Sequence, residues 1–216
     1  MVELPLSNIL FYLLTGARWT LLLSAIAFLG GGIGALLLLL LRYGRPRIGA
    51  RFLHLYVELF QGTPLLLQLF LVFFGLPLLG IDVPPIVAAG IALTLYASAF
   101  LAEIWRGCVD AIPRGQWDAG GALGLNFLMQ MWDVILPQAL RIAVPPTVGF
   151  LTQLVKATAL ASIVGFVELT KSGAIVSNAT FQPLLVYGIV AAIYFAMCYP
   201  LTLCARLLER KLSQSR

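Results

Sequence analysis

Residues Trp19–Leu41 read WTLLLSAIAFLGGGIGALLLLLL, 23 positions without an Asp, Glu, Lys or Arg. A bilayer's hydrocarbon core takes about 20 mostly apolar residues to cross as a helix. This stretch meets that length with no charge to carry through lipid, and it sets the fold class. The rest of the chain agrees with it: 61% of the 216 residues are hydrophobic and 11% are charged, against roughly 25% charged in a soluble domain. Four more runs have the composition of spans: Phe52–Leu79, Pro84–Trp105, Ile142–Phe166 and Leu184–Leu208. An open sheet cannot satisfy its backbone in lipid, so strands are a poor alternative. The expected fold is all-α, a polytopic membrane protein of five transmembrane helices, with residues 1–216 forming one domain. Met1–Leu14 holds Glu3 and no basic residue, which excludes the basic start of a signal peptide; it reads as a short interfacial segment. Cys108, Cys198 and Cys204 have no metal-ligand spacing and read as small packed residues.

Basic residues orient the spans. Arg42, Arg45, Arg47 and Arg51 follow the first span, Arg106, Arg114 and Arg141 the third, and Arg206, Arg210, Lys211 and Arg216 the fifth. With five spans all eleven fall on one side, and only Arg18 and Lys171 fall on the other. The expectation is a multi-pass membrane protein, N-terminus outside and C-terminus cytoplasmic. Gly30 and Gly34 in the first span make a G-x-x-x-G, which lets helices approach closely. Packing within the subunit and a contact between subunits both fit it.

The longest cytoplasmic segment is residues 107–137. Leu125, Leu128, Trp132 and Ile135 are spaced three, four and three, an apolar helical stripe, with Asn126, Gln130 and Asp133 opposite. Pro113, Gly115, Gly120, Gly121 and Gly124 precede it and allow sharp turns. Pro137 stands where a helix tolerates proline, in its first turn. Short helices across the cytoplasmic face are expected. They could rest on lipid, or dock into a groove of a soluble partner.

Asp118-Ala119-Gly120-Gly121-Ala122-Leu123-Gly124, nine residues, then Val134-Ile135-Leu136-Pro137, resembles the EAA loop of ABC importer permeases: E-A-A, three residues, G, nine residues, I-x-L-P. Asp118, Gly120 and Val134 depart from the pattern, and the spacing is intact. Glu58-Leu59-Phe60-Gln61-Gly62-Thr63-Pro64-Leu65-Leu66-Leu67-Gln68 is similar to the E-x-x-R-G-T-P-L-x-x-Q stretch of the polar-amino-acid permeases. Glu103–Gly107, Ile112–Trp117, Ile135–Arg141 and Lys156–Leu160 resemble that family's E-x-x-R-G, I-P-x-G-Q, I-L-P-Q-A-x-R and K-x-T-S-L runs. Gln61 stands where Arg is usual, and Ala157 and Ala159 where Asp and Ser are usual.

The resemblance covers about residues 15–210 and implies the type I ABC importer fold. It implies that Asp118, Ala119, Gly120, Gly124, Leu128, Trp132 and Pro137 belong to a coupling helix that docks on an ATPase. It also implies three partners: the ABC ATPase subunit, a second permease (a second copy or a similar sister subunit), and an extracytoplasmic solute-binding protein. The substrates it implies are amino acids such as histidine, glutamine, glutamate, arginine or cystine, or opines.

Ionisable groups in a span are costly and normally face a cavity or a partner. Lys156 lies 15 residues past Arg141, about 22 Å along a helix, deep enough to hold the carboxylate of an amino acid; a structural ion pair is the other option. Glu58 and Gln61 share a helix face. Gly62, Thr63 and Pro64 loosen the helix beside them, and transporters use such breaks at substrate sites; a kink serving only packing also fits. Tyr96, Ser98 and Thr158 complete the candidate substrate path. Glu103 and Arg106 read as a helix-end salt bridge, and His54 as an interfacial residue.

The chain has no G-x-x-x-x-G-K-[ST] phosphate loop; Gly165–Ser172 comes nearest and lacks the second glycine. No metal cluster or nucleophile–base pair is apparent, so the chain reads as a permease subunit, not an enzyme. It needs no cofactor of its own, and ATP and Mg would sit on the separate ATPase. An ion-coupled secondary transporter is the alternative, although no internal repeat supports it.

Overall fold

The structure is a computed structural model describing residues 5–213; Glu3 and Arg216 lie outside them. Along the chain run α1 (Leu6–Gly44), α2 (Pro46–Gly62), α3 (Leu65–Leu78), α4 (Pro85–Asp110), α5 (Arg114–Ala122), α6 (Phe127–Met129), a π turn (Gln130–Ile135), α7 (Leu136–Ala157), a 3-10 turn (Thr158–Ser162), α8 (Leu169–Thr180) and α9 (Pro183–Ser213). There is no strand among the described residues. Four helical runs are long and apolar enough to cross a membrane: α1, α4, Phe127–Ser162 and α9. Counted as one span, α2 and α3 supply the fifth.

This span, the second in chain order, is not one loosened helix. Its halves are bent by 98°. Pro64 lacks an N–H and pushes Thr63 into an extended conformation (φ −113°, ψ 143°), so the helix stops at Gly62. The carbonyls freed by the break find partners. The Gln68 side-chain amide donates to the Phe60 carbonyl at 2.8 Å and the Thr63 carbonyl at 3.1 Å, and the Thr63 hydroxyl donates to the Leu59 carbonyl at 2.7 Å. Backbone at membrane depth is tolerated on this condition.

The glycines of α1 pack within the subunit, against α4. A Cβ on Gly30 would meet the Thr94 methyl at 3.0 Å, and one on Gly34 would meet the Ser98 Cβ at 2.8 Å. Ala92, Ala97 and Ala102 of α4 are buried in the same core. Small residues on both helices let the backbones approach, which is how membrane helices gain contact without a hydrophobic drive between them.

Residues 6–14 are not a segment separate from the first span. They are the first turns of α1, because Ile9, Leu13 and Ala17 bury against Leu169, Val176, Val186 and Val190 of α8 and α9. The α8 helix has no counterpart among the expected spans. It is too short to cross lipid, and the second and third of its free backbone N–H groups are capped by Glu168, which accepts from Thr170 N at 2.9 Å and Lys171 N at 2.8 Å.

The helix that carries the fourth span starts well ahead of Ile142, at Phe127, and runs into α7 without a break. Asn126 caps it, accepting from Met129 N at 2.9 Å. The π turn corrects the apolar stripe. Its wider turn rotates the later residues off the 3.6-residue register, so Met131 and Ile135 face inward while Leu128 and Trp132 stay 65% and 68% exposed.

Candidate functional site

Three features converge on function. The first is the surface of the α5–α6 segment. Gly124 sits at φ +75°, the left-handed region, and closes α5 with a Schellman pair: Leu125 N donates to the Gly120 carbonyl and Gly124 N to the Gly121 carbonyl, at 3.1 and 3.0 Å. Gly120 is buried against the Gln130 side chain, whose amide donates to the Leu125 carbonyl at 3.0 Å. The other six candidate residues of this segment, Asp118, Ala119, Gly124, Leu128, Trp132 and Pro137, are not buried, and Leu128 and Trp132 stand well exposed. Leu123, Phe127 and Met129 add to the exposed apolar face. Beneath it, Val109, Ile112, Met131, Ile135 and Ala139 form a small core on which the segment packs.

The second feature is a groove of about 1470 Å³ along α7 and α9. Gln153 and Lys156 line its deeper part, and Arg141, Arg206 and Glu209 the end where the basic residues cluster. Lys156 is exposed to this groove and makes no ion pair or hydrogen bond among the described residues. Gln153, which the sequence pattern did not single out, lies beside the Tyr96 side chain of α4. Tyr96 is half-buried against Phe100 and Phe150.

The third feature is the α2–α3 break, whose Gln61, Gly62, Thr63 and Pro64 are all exposed on the surface of the subunit. Glu58, also exposed, pairs with His54 at 3.1 Å.

A family model described as the binding-protein-dependent transport system inner membrane component matches residues 30–214. The chain belongs to that family. This permease is 34% identical over 200 residues to the probable amino-acid ABC transporter permease protein YckA of Bacillus subtilis (strain 168), covering 93% of this chain and 88% of that one. It is also 34% identical over 200 residues to the L-cystine transport system permease protein TcyB of the same organism, covering 92% and 86%. A chain from the crystal structure of an amino acid ABC transporter with histidines superposes with a TM-score of 0.90 at 32% identity, over 98% of this permease and 100% of that chain. A chain of the inward-facing MetNI methionine ABC transporter shares the fold, with a TM-score of 0.77 at 24% identity, over 97% of this permease and 99% of that chain. The family assignment supersedes the ion-coupled alternative. It makes the chain a multi-pass permease component of the inner membrane, separate from the ATPase.

Two residues expected on the substrate path do not face open space in the permease. The Ser98 side chain is locked between Gly34 and the Tyr56 hydroxyl, 2.6 Å from the latter. Thr158 is fully buried and donates to the Val155 carbonyl at 2.7 Å. Both hydroxyls are consumed by packing within the chain, a fate their positions in the sequence do not reveal. Glu103 and Arg106 pair at the helix end, Arg106 Nε donating to Oε2 at 2.9 Å, and Arg106 also reaches Asp110 at 2.6 Å.

The sequence pattern gave no sign of Glu168, the one acidic residue that is fully buried among the described residues. Besides capping α8 it accepts from the Tyr194 hydroxyl of α9 at 2.9 Å and from the Thr20 hydroxyl of α1 at 3.4 Å. Burial holds its carboxyl above the ordinary range, against the smaller opposing effect of the backbone N–H groups of Thr170 and Lys171.

Proposed function

We propose that this permease imports a polar amino acid or a related compound across the inner membrane, driven by a separate ATPase that binds ATP and Mg. It works beside a second permease, either a second copy or a similar sister chain, and takes cargo from an extracytoplasmic solute-binding protein. The orientation that fits the basic residues has the N-terminus outside, and the C-terminus and the α5–α6 segment in the cytoplasm. Asp118, Ala119, Gly120, Gly124, Leu128, Trp132 and Pro137 form the coupling element, a rigid apolar face offered to a groove on the ATPase. ATP-driven closure of the ATPases displaces that face, and the spans follow.

The observation that carries the cargo reading is the groove with an uncompensated Lys156. An ammonium facing a polar groove at membrane depth offers a carboxylate the partner it lacks. Gln153 and Tyr96 beside it supply hydrogen-bonding groups. Glu58, Gln61, Gly62, Thr63 and Pro64, exposed on the same subunit, line the path where the sister permease closes around it. Gln61 binds polar cargo without demanding a charge. Ser98 and Thr158 take packing roles. The names of the relatives, which include amino-acid and cystine permeases, support the same cargo class.

The test is uptake of labelled histidine, glutamine, arginine and cystine by proteoliposomes holding the whole complex. Wild type takes up at least one of them with ATP, and Lys156→Met cuts that uptake tenfold or more while the ATPase still co-purifies. Unchanged uptake in Lys156→Met ends the ligand role of this lysine.

A further inference from the structure

The α1 helix touches the coupling element at one end and the capped α8 helix at the other. At the basic end, Tyr43 in its last turn packs into the small core under the coupling element. Its ring lies 6.5 Å from that of Phe127, which stacks on Trp117 of α5 at 6.2 Å and 19°. Its neighbour Arg42 reaches Asp110 of α4 at 3.8 Å. At the far end, the Thr20 hydroxyl oxygen accepts from Leu169 N at 3.1 Å, and its O–H lies within donor distance of both the Gly16 carbonyl, at 3.3 Å, and the Glu168 carboxylate, at 3.4 Å. One turn before it, Gly16 lies so close to Ser172 of α8 that no side chain would fit. Glu168 in turn holds Tyr194 of α9.

Between Thr20 and Tyr43 the helix advances 23 residues, about 35 Å along the axis. No proline interrupts them, and Gly30, Gly31 and Gly34 of this stretch are wedged against α4. The direct route through α7 is different. It contains the π turn, the pair Pro145–Pro146 and the 3-10 turn after Ala157, the features at which helices bend. A displacement of the coupling element that α7 absorbs at these points is carried whole by an unbroken helix.

We propose that α1 is the strut that transmits movement of the coupling element to the outer α8–α9 junction, with Tyr43 and Thr20 as the positioning residues that key its two ends. This rests on the coupling role given to the α5–α6 segment. The Tyr43 ring packs against Phe127 and the small apolar core, and its hydroxyl makes no hydrogen bond, so its shape matters and its hydroxyl does not. Thr20 acts through its hydroxyl, which ties Glu168 and the first turn of α8 to α1. Neither residue touches ATP or lines the groove.

The experiment uses the complete transporter in proteoliposomes, with the labelled amino acid that wild type takes up, and reads uptake and ATP hydrolysis together. Thr20→Val preserves shape and removes the hydroxyl; Tyr43→Leu removes the ring; Tyr43→Phe keeps it. Thr20→Val and Tyr43→Leu are expected to hydrolyse ATP within about twofold of wild type while uptake per ATP falls threefold or more. The double variant is expected to be no worse than the poorer single one, since both act on one strut. Tyr43→Phe is expected to match wild type. Wild-type uptake per ATP in Thr20→Val, a parallel fall of hydrolysis and uptake, or a double variant losing the product of the two single losses would each overturn the proposal. Failure of the underlying coupling role shows separately, as an ATPase that binds equally well to a Trp132→Asp permease.

Discussion

At Gly124 a single dihedral angle shapes the candidate coupling surface. Its φ of +75° closes α5 and turns the chain so that Asn126 can cap the next helix. A side chain in this conformation costs about 1–2 kcal/mol, and nothing else crowds the site. Gly124→Leu should therefore leave the spans folded and distort only the docking face; uptake should fall at least fivefold with the permease still present in membranes, read by transport assay and immunoblot. Gln68 works in the opposite way. Its amide turns inward and satisfies two carbonyls opened by the α2–α3 break. Gln68→Leu leaves those carbonyls bare at membrane depth, at a cost of about 1–3 kcal/mol. A lower melting temperature in detergent is the expected outcome. Both residues stand out in the sequence, one in the EAA-like run and the other at the end of the Gly-x-Pro stretch. Their roles did not, since a left-handed turn and a side chain reaching eight residues back are properties of the folded backbone.

Among elements, the α6–α7 helix shows what a regular period misses. Periodicity puts Leu125, Leu128, Trp132 and Ile135 on one face, but the π turn divides them: Ile135 is fully buried while Leu128 and Trp132 face out. The outward pair lies one turn apart on a surface with no partner in this chain. Trp132→Asp puts a charge where docking would bury an aromatic; with a loss of about 2 kcal/mol or more for a central tryptophan, co-purification of the ATPase should drop about thirtyfold while the fold, read by circular dichroism, is unchanged. The α1–α4 pair is the contrasting case. Its glycine spacing was legible as a close helix contact, and only the packing against Thr94, Ala97 and Ser98 decided which helix it meets. Gly31→Leu should overpack that contact by about 1–3 kcal/mol, lowering the yield of folded permease on size-exclusion chromatography.

Over the whole molecule, charge and hydropathy lead to one arrangement: five crossings with every basic cluster at one end. Tags should find the C-terminus and residues 107–137 reachable from the cytoplasm and the N-terminus from outside; protease digestion of oriented vesicles reads this. The existence of the spans, the gathering of the basic loops and the segment that carries the exposed apolar face were all determined by the sequence, because lipid solvation acts on local composition and each helix satisfies its own backbone. Tertiary structure alone decided that the second span breaks through 98°, that residues 6–14 extend α1, that Glu168 gathers α1, α8 and α9, and that Lys156 opens to a groove while Ser98 and Thr158 do not. These depend on which side chains from distant parts of the chain arrive at the same place, and neither apolar length nor periodicity carries that information.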